Sequence, residues 1–183
     1  MTARPVCLIA ALAAALSATA AAGASGASGA APGRIRYTNE RIADAFEWAL
    51  LRSETFRDLV ARVEQSDMTV YIDDGRCPQS ARGACLHVLP FASERRIVIY
   101  VHTLQVRISI VRQLAHELQH ATEIAGSDVV DDGAVRRLYE RIGYRNSPSG
   151  SDLWETRAAQ SAESLVLAEA MHARSADARA GRE

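Results

Sequence analysis

Between residues 39 and 63 the apolar positions recur at helical spacing. Ile42, Phe46 and Ala49 share one face, and Ser53 with Glu54 opens a second helix carrying Phe56, Leu59 and Val63. The period then shortens. Residues 68–72 form a β-rich run stopped by Asp73, Asp74 and Gly75, and residues 85–91 and 96–102 read as two further strands. The short segment 92–95 between them suits a hairpin turn. From Leu104 the helical period returns, over 104–124, 134–142 and 152–172, with Gly143 and the Asn146 to Gly150 cluster as breaks.

Helices, a short three-stranded sheet and then helices predict one α+β domain over residues 39–173. Residues 23–38, rich in Ala, Gly and Ser without periodicity, read as a flexible linker, and 174–183 as a disordered tail.

The first residues follow a different rule. Arg4 supplies a positive charge, and residues 6–22 are apolar or small apart from Ser17 and Thr19. This is the anatomy of a signal peptide spanning residues 1–22, with small residues for cleavage before Gly23. The segment is too rich in Ala, and its core too short, to favour a membrane anchor. The expected location is therefore the periplasm or the exterior, with no stable membrane association after cleavage. Two cysteines remain beyond this segment, Cys77 and Cys85, which in an exported chain predicts one local disulfide.

Composition narrows the chemistry. The chain has 183 residues and a net charge of −1, so nothing suggests a nucleic-acid partner. All 21 basic side chains are Arg, which excludes Schiff-base and P-loop lysines. No GxSxG elbow supports a serine nucleophile, and a paired cysteine is no nucleophile. His87 and His102, on expected strands, are assigned no role.

The candidate chemistry lies in the run His116-Glu117-Leu118-Gln119-His120. Two His at i and i+4 project from one side of a helix and can meet one ion, while the intervening Glu stands close enough to deprotonate water beside it. With His116 at zero, His120 falls at about 40° and Gln113 at about 60°, opposite the arc of Val111, Leu114, Ala115, Leu118, Ala121 and Ala125. The alternative is a His pair on a solvated helix face.

A catalytic zinc takes three protein ligands and keeps one position open. No third His follows at short spacing; Glu123 stands three after His120. A carboxylate from another helix is the remaining option. Glu155 heads an otherwise apolar stripe with Ala159, Ala162 and Val166 on the expected C-terminal helix. Burying an acid there needs a cation. Glu163 shares its side with Thr156, Gln160 and Leu167, a less buried face. Tyr139, Tyr144 and Arg145, between the ligand helices, are candidates for stabilising an oxyanion, with Tyr144 put forward.

The HExxH run, followed by Trp154-Glu155-Thr156-Arg157-Ala158, resembles the gluzincin branch of zinc metallopeptidases, above all its small single-domain members, the minigluzincins, and exported bacterial proteins with a His-Glu-Leu-Gln-His-Ala signature. The resemblance covers about residues 95–171. It implies a zincin-like fold, one Zn2+ held by His116, His120 and Glu155, and Glu117 as general base in hydrolysis of a peptide or protein substrate. It also implies a strand running antiparallel to bound peptide, a place that 96–102 suits. The family's Asp four residues after the third ligand is Ala159 here, leaving Asp131 or Asp132 to hold the first His. The alternative function is an exported zinc-binding protein that uses the same ligands as a scaffold or sensor, without turnover.

Overall fold

The computed structural model describes residues 33–77, 84–89, 95–145 and 154–180. The signal segment, the 92–94 turn and the Asn146 to Gly150 cluster lie outside these residues. Among the described residues the architecture is α+β: five helices, a four-stranded mixed sheet and a separate two-stranded ribbon.

Each element follows from local chemistry. Helix α1 (Glu40–Arg52) starts where the Asn39 side chain accepts from the backbone N–H groups of Arg41 and Ile42. Ser53 ends it and caps the next helix, α2 (Glu54–Glu64), by accepting from the Phe56 N–H at 3.0 Å. The Ser53 hydroxyl also donates to Glu169 at 2.6 Å, and Thr55 donates to the same carboxylate through both its N–H and its hydroxyl. This pins the start of α2 to α5 (Arg157–Ala180).

The sheet runs β1 (Ile35–Tyr37), β2 (Met68–Asp74), β4 (Arg95–Val101), β3 (Cys85–Leu89). The β1–β2 and β2–β4 pairs are parallel, and the β3–β4 pair is antiparallel, as a hairpin requires. Cys77 and Cys85 form a disulfide with Cα atoms 5.9 Å apart.

The remaining elements are α3 (Arg107–Ala125), α4 (Asp132–Ile142), and strands β5 (Tyr144–Arg145) and β6 (Trp154–Glu155). Helix α3 lies at the centre, packed on α1, α2, α5 and β4. It buries Val111, Leu114, Leu118 and Ala121 on its apolar side. No helix among the described residues is long and apolar enough to cross a membrane.

Four sequence expectations need correction. The sheet has four strands, not three, because Ile35 and Tyr37 form a strand inside the expected 23–38 linker. Three residues are too few to show a period, and this strand is held from outside: Glu64 accepts from the N–H groups of Arg34 and Ile35. The tail expected to be disordered from 174 onward continues α5 to Ala180, since Ala and Arg are good helix formers. Strand 96–102 cannot be the one that pairs with a bound peptide. Its counterpart β4 is bonded to β2 on one side and β3 on the other, and the edges of the sheet among the described residues are β1 and β3. Finally, α5 begins at Arg157, so Glu155 precedes that helix and lies on β6.

The C-terminal end of α3 is fixed by one side chain. The Arg95 guanidinium, on the first residue of β4, donates to the carbonyls of Ile124, Ala125 and Ser127 and pairs with Asp67. These bonds satisfy the orphan carbonyls of the helix end and complement its dipole. Arg95→Ala is expected to destabilise the fold by about 2–3 kcal/mol, the scale of lost hydrogen bonds to a charged group. Arg95→Lys, without the fork, should recover less than half of that. Urea unfolding of the three proteins checks both figures.

Candidate metal centre

Helix α3 carries His116 and His120 one turn apart, and both side chains are buried, His116 beside Glu163 of α5 and His120 beside Tyr139 of α4. Their Nε2 atoms are 3.2 Å apart. Glu155 reaches the same point from β6: its Oε1 is 3.3 Å from His116 Nε2 and 3.7 Å from His120 Nε2. Ligand atoms about 2.0–2.1 Å from one tetrahedral ion stand about 3.3–3.4 Å from each other, so the spacing suits a metal. These three residues form a group that could hold a metal ion.

The outer nitrogens prepare the inner ones. His116 Nδ1 is 3.1 Å from Glu163 Oε2, and His120 Nδ1 is 2.9 Å from Glu123 Oε2. A carboxylate only accepts, so each Nδ1 carries the proton, and in the neutral ring Nε2 is left with a lone pair. Glu163 is itself paired with Arg112 at 3.0 Å, and Glu123 accepts from the Thr156 hydroxyl at 2.7 Å.

The Glu155 backbone is set by a close approach. Strands β5 and β6 pair antiparallel, with Tyr144 opposite Glu155. At Gly143, a Cβ would come within 2.8 Å of the Glu155 carbonyl oxygen and 2.9 Å of the Tyr139 carbonyl oxygen. Only glycine lets the chain leave α4 and pass this close. The Glu155 carboxylate also accepts from the Thr156 N–H at 2.9 Å, which orients it at the start of α5.

Glu117 is buried beside this group and acts electrostatically on both His120 and Tyr139, but it is outside the set of converging donors. The Tyr139 ring meets His120 edge-on at 5.2 Å. Its buried hydroxyl makes no hydrogen bond of ordinary geometry. Burial, and then the negative field of Glu123, Glu117 and Glu155, holds that phenol protonated well beyond its usual range.

The sequence-derived residues are thus distributed unevenly. His116, His120 and Glu155 converge, with Glu117 next to them. Tyr144 is partly exposed and lines a cleft of about 800 Å³ together with Gln119, Glu123, Thr156, Arg157 and Gln160. Arg145 lies over the Trp154 ring, and it is Tyr139 that faces the histidines.

Neither Asp131 nor Asp132 holds a histidine. Asp131 caps α4 by accepting from the Ala134 N–H, and Asp132 accepts from the Val88 N–H on β3. Glu123 and Glu163 do that work and were missed. The i, i+3 spacing of His120 and Glu123 on one helix was a usable signal. Glu163 was set aside as facing a less buried side, yet its carboxylate is largely covered. The side of α3 that carries the histidines is not a solvated face: it is buried, with Tyr139 of α4 against His120 and acids from α5 and β6 reaching both histidines.

Comparison with protein-family models, with curated proteins and with solved structures finds no match to this chain.

Without an ion, the acids charge the imidazole. Burial opposes a proton on His120, but Glu123, Glu155 and Glu117 outweigh it and push its pKa up to about 9. A raised pKa stabilises the fold fully below the unfolded value of 6.5, and that contribution is lost as pH rises through about 9. Metal-free protein should therefore lose thermal stability across this window. Metal-loaded protein, with the ion in place of the proton, should lack this component. Melting temperatures with chelator and with excess metal, taken across the window, check the difference; parallel curves would contradict it.

Proposed function

We propose that this chain is an exported zinc-dependent peptidase of gluzincin type, with a zincin-like fold and a site assembled from α3 and β6. The observation that carries the reading is the convergence of His116 Nε2, His120 Nε2 and Glu155 Oε1 at tetrahedral spacing, with both outer nitrogens held by carboxylates. Two imidazoles and one carboxylate form a donor set suited to zinc and leave one tetrahedral position open. The signal-like segment at residues 1–22 and the disulfide support an exported protein.

Bound there, zinc supplies Lewis acidity that polarises a peptide carbonyl and acidifies a water molecule. The residues of the chain do the rest. Glu117 accepts the proton of the attacking water and returns it to the leaving amine. Its position outside the ligand set suits a base. Tyr139, kept protonated by burial and by the carboxylates around it, can donate to the developing oxyanion. The cleft walled by Tyr144, Gln119 and Arg157 gives a peptide somewhere to lie.

A second reading is a zinc-binding protein without turnover, and the deep burial of the histidines and of Glu117 favours it. Two substitutions separate the readings. Glu117→Gln should keep one equivalent of zinc and lower peptide hydrolysis by about 10²–10⁴-fold, the usual loss on removing a general base. Glu155→Ala should lower zinc affinity, because a carboxylate ligand is gone. Zinc content by elemental analysis and hydrolysis of a peptide library are the measurements. Hydrolysis unchanged in Glu117→Gln would sink the peptidase reading, and zinc affinity unchanged in Glu155→Ala would remove Glu155 from the site.

A further inference from the structure

A second group of donor atoms lies at the edge of the sheet, apart from the α3 site. Cys85 and His87 are two residues apart on β3, so their side chains stand on one face of the strand. His87 Nε2 is 3.4 Å from Cys85 Sγ. Cys77 brings the third atom from the segment after β2, and the two sulfurs and the imidazole nitrogen all lie within 4.8 Å of one another. Cys77 is buried, Cys85 half-buried and His87 exposed, so the group opens to solvent on the histidine side.

The surroundings hold these donors in place. The His87 ring meets Tyr100 of β4 edge-on at 6.1 Å. Tyr100 is pressed in turn against Gly75, where a Cβ would come within 2.7 Å of the ring. Backbone pairing of Cys85 with Tyr100 and of His87 with Val98 fixes both residues on the sheet.

We propose that Cys77, Cys85 and His87 form a second, redox-gated metal site that takes a thiophilic d10 cation such as Zn2+ when the disulfide is reduced. Bond lengths of about 2.3 Å to sulfur and 2.0–2.1 Å to nitrogen place sulfur and nitrogen about 3.6 Å apart around a tetrahedral ion, close to the distance found here. Thiolates with an imidazole form a soft donor set, unlike the oxygen-containing set of the α3 site. A dithiol reductant opens the site: the S–S bond breaks, two S–H groups form, and the reductant becomes a disulfide. The incoming cation then displaces both thiol protons to solvent and binds the two thiolates and His87 Nε2. A disulfide oxidant reverses this: it accepts two electrons from the thiolates and two protons from solvent to become a dithiol, while the Cys77–Cys85 S–S bond reforms and the ion is expelled.

The test uses the full chain, reduced by a phosphine under anaerobic conditions and titrated with Co2+. In a Cys7→Ser background, which removes the one other cysteine of the chain, thiolate-to-cobalt charge-transfer absorption arises only from the Cys77 and Cys85 site, whatever ion occupies the histidines of α3. The expected result is such absorption saturating at one thiolate-bound ion per chain, abolished by Zn2+ and absent from the oxidised protein. His87→Ala should weaken Co2+ binding at this site at least tenfold. Far-UV circular dichroism on the same samples reports whether the reduced chain keeps its fold. Reduced protein without the absorption, a reduced chain that unfolds, or an undiminished affinity in His87→Ala would each overturn the proposal.

Discussion

A cluster of acidic side chains at low exposure dominates this structure. Glu117, Glu123, Glu155 and Glu163 surround two imidazoles near α3, α4, α5 and β6, and Arg112 pairs with Glu163. Carboxylates gathered at such low exposure raise the energy of the fold unless positive charge meets them. Protonating His120 supplies some of it. A divalent cation between His116, His120 and Glu155 supplies more, at the point where the lone pairs already meet. The acids behind the histidines hold the Nδ1 protons and direct the Nε2 atoms inward, so that with Glu155 they form a group that could hold a metal ion.

The fold can be understood as the support for that arrangement. Helix α3 is anchored at both ends of its run past the sheet. Arg95 holds its C-terminal carbonyls, and Gln113 accepts from the His102 N–H at 2.8 Å just beyond β4. The apolar side of α3 then fixes its rotation against α1, α2 and the sheet, which turns His116 and His120 toward α5 and β6. Glu169 ties α5 to the start of α2, so Glu163, two turns earlier on the same helix, is held at a constant distance from His116. Gly143 lets the β5–β6 ribbon approach closely enough to deliver Glu155.

The sequence showed most of the scaffold and half of the site. Helices α1 to α4 announced themselves through apolar spacing, and α2 also through Ser53 and Glu54 at its start. The His pair and Glu117 could be found because their chemistry depends on spacing within one helix. Strand β1 could not, since three residues carry no period and their hydrogen bonds come from distant groups. Glu155 was chosen as a ligand on a mistaken premise. It lies on a two-residue strand before α5, and the stripe of Ala159, Ala162 and Val166 has no bearing on its position. Glu163 was underrated for a related reason: a helical wheel ranks faces by their own residues and is blind to what other elements place against them.

The most direct test of the claim that one ion completes the buried acid and imidazole cluster is zinc K-edge X-ray absorption. The protein should be oxidised, so that Cys77 and Cys85 are paired, and loaded with a single equivalent. The expected spectrum shows only nitrogen and oxygen neighbours at about 2.0–2.1 Å, with the multiple-scattering signature of two imidazoles. Zinc washed away by simple dialysis, or a spectrum showing sulfur at about 2.3 Å or fewer than two imidazoles, would contradict it.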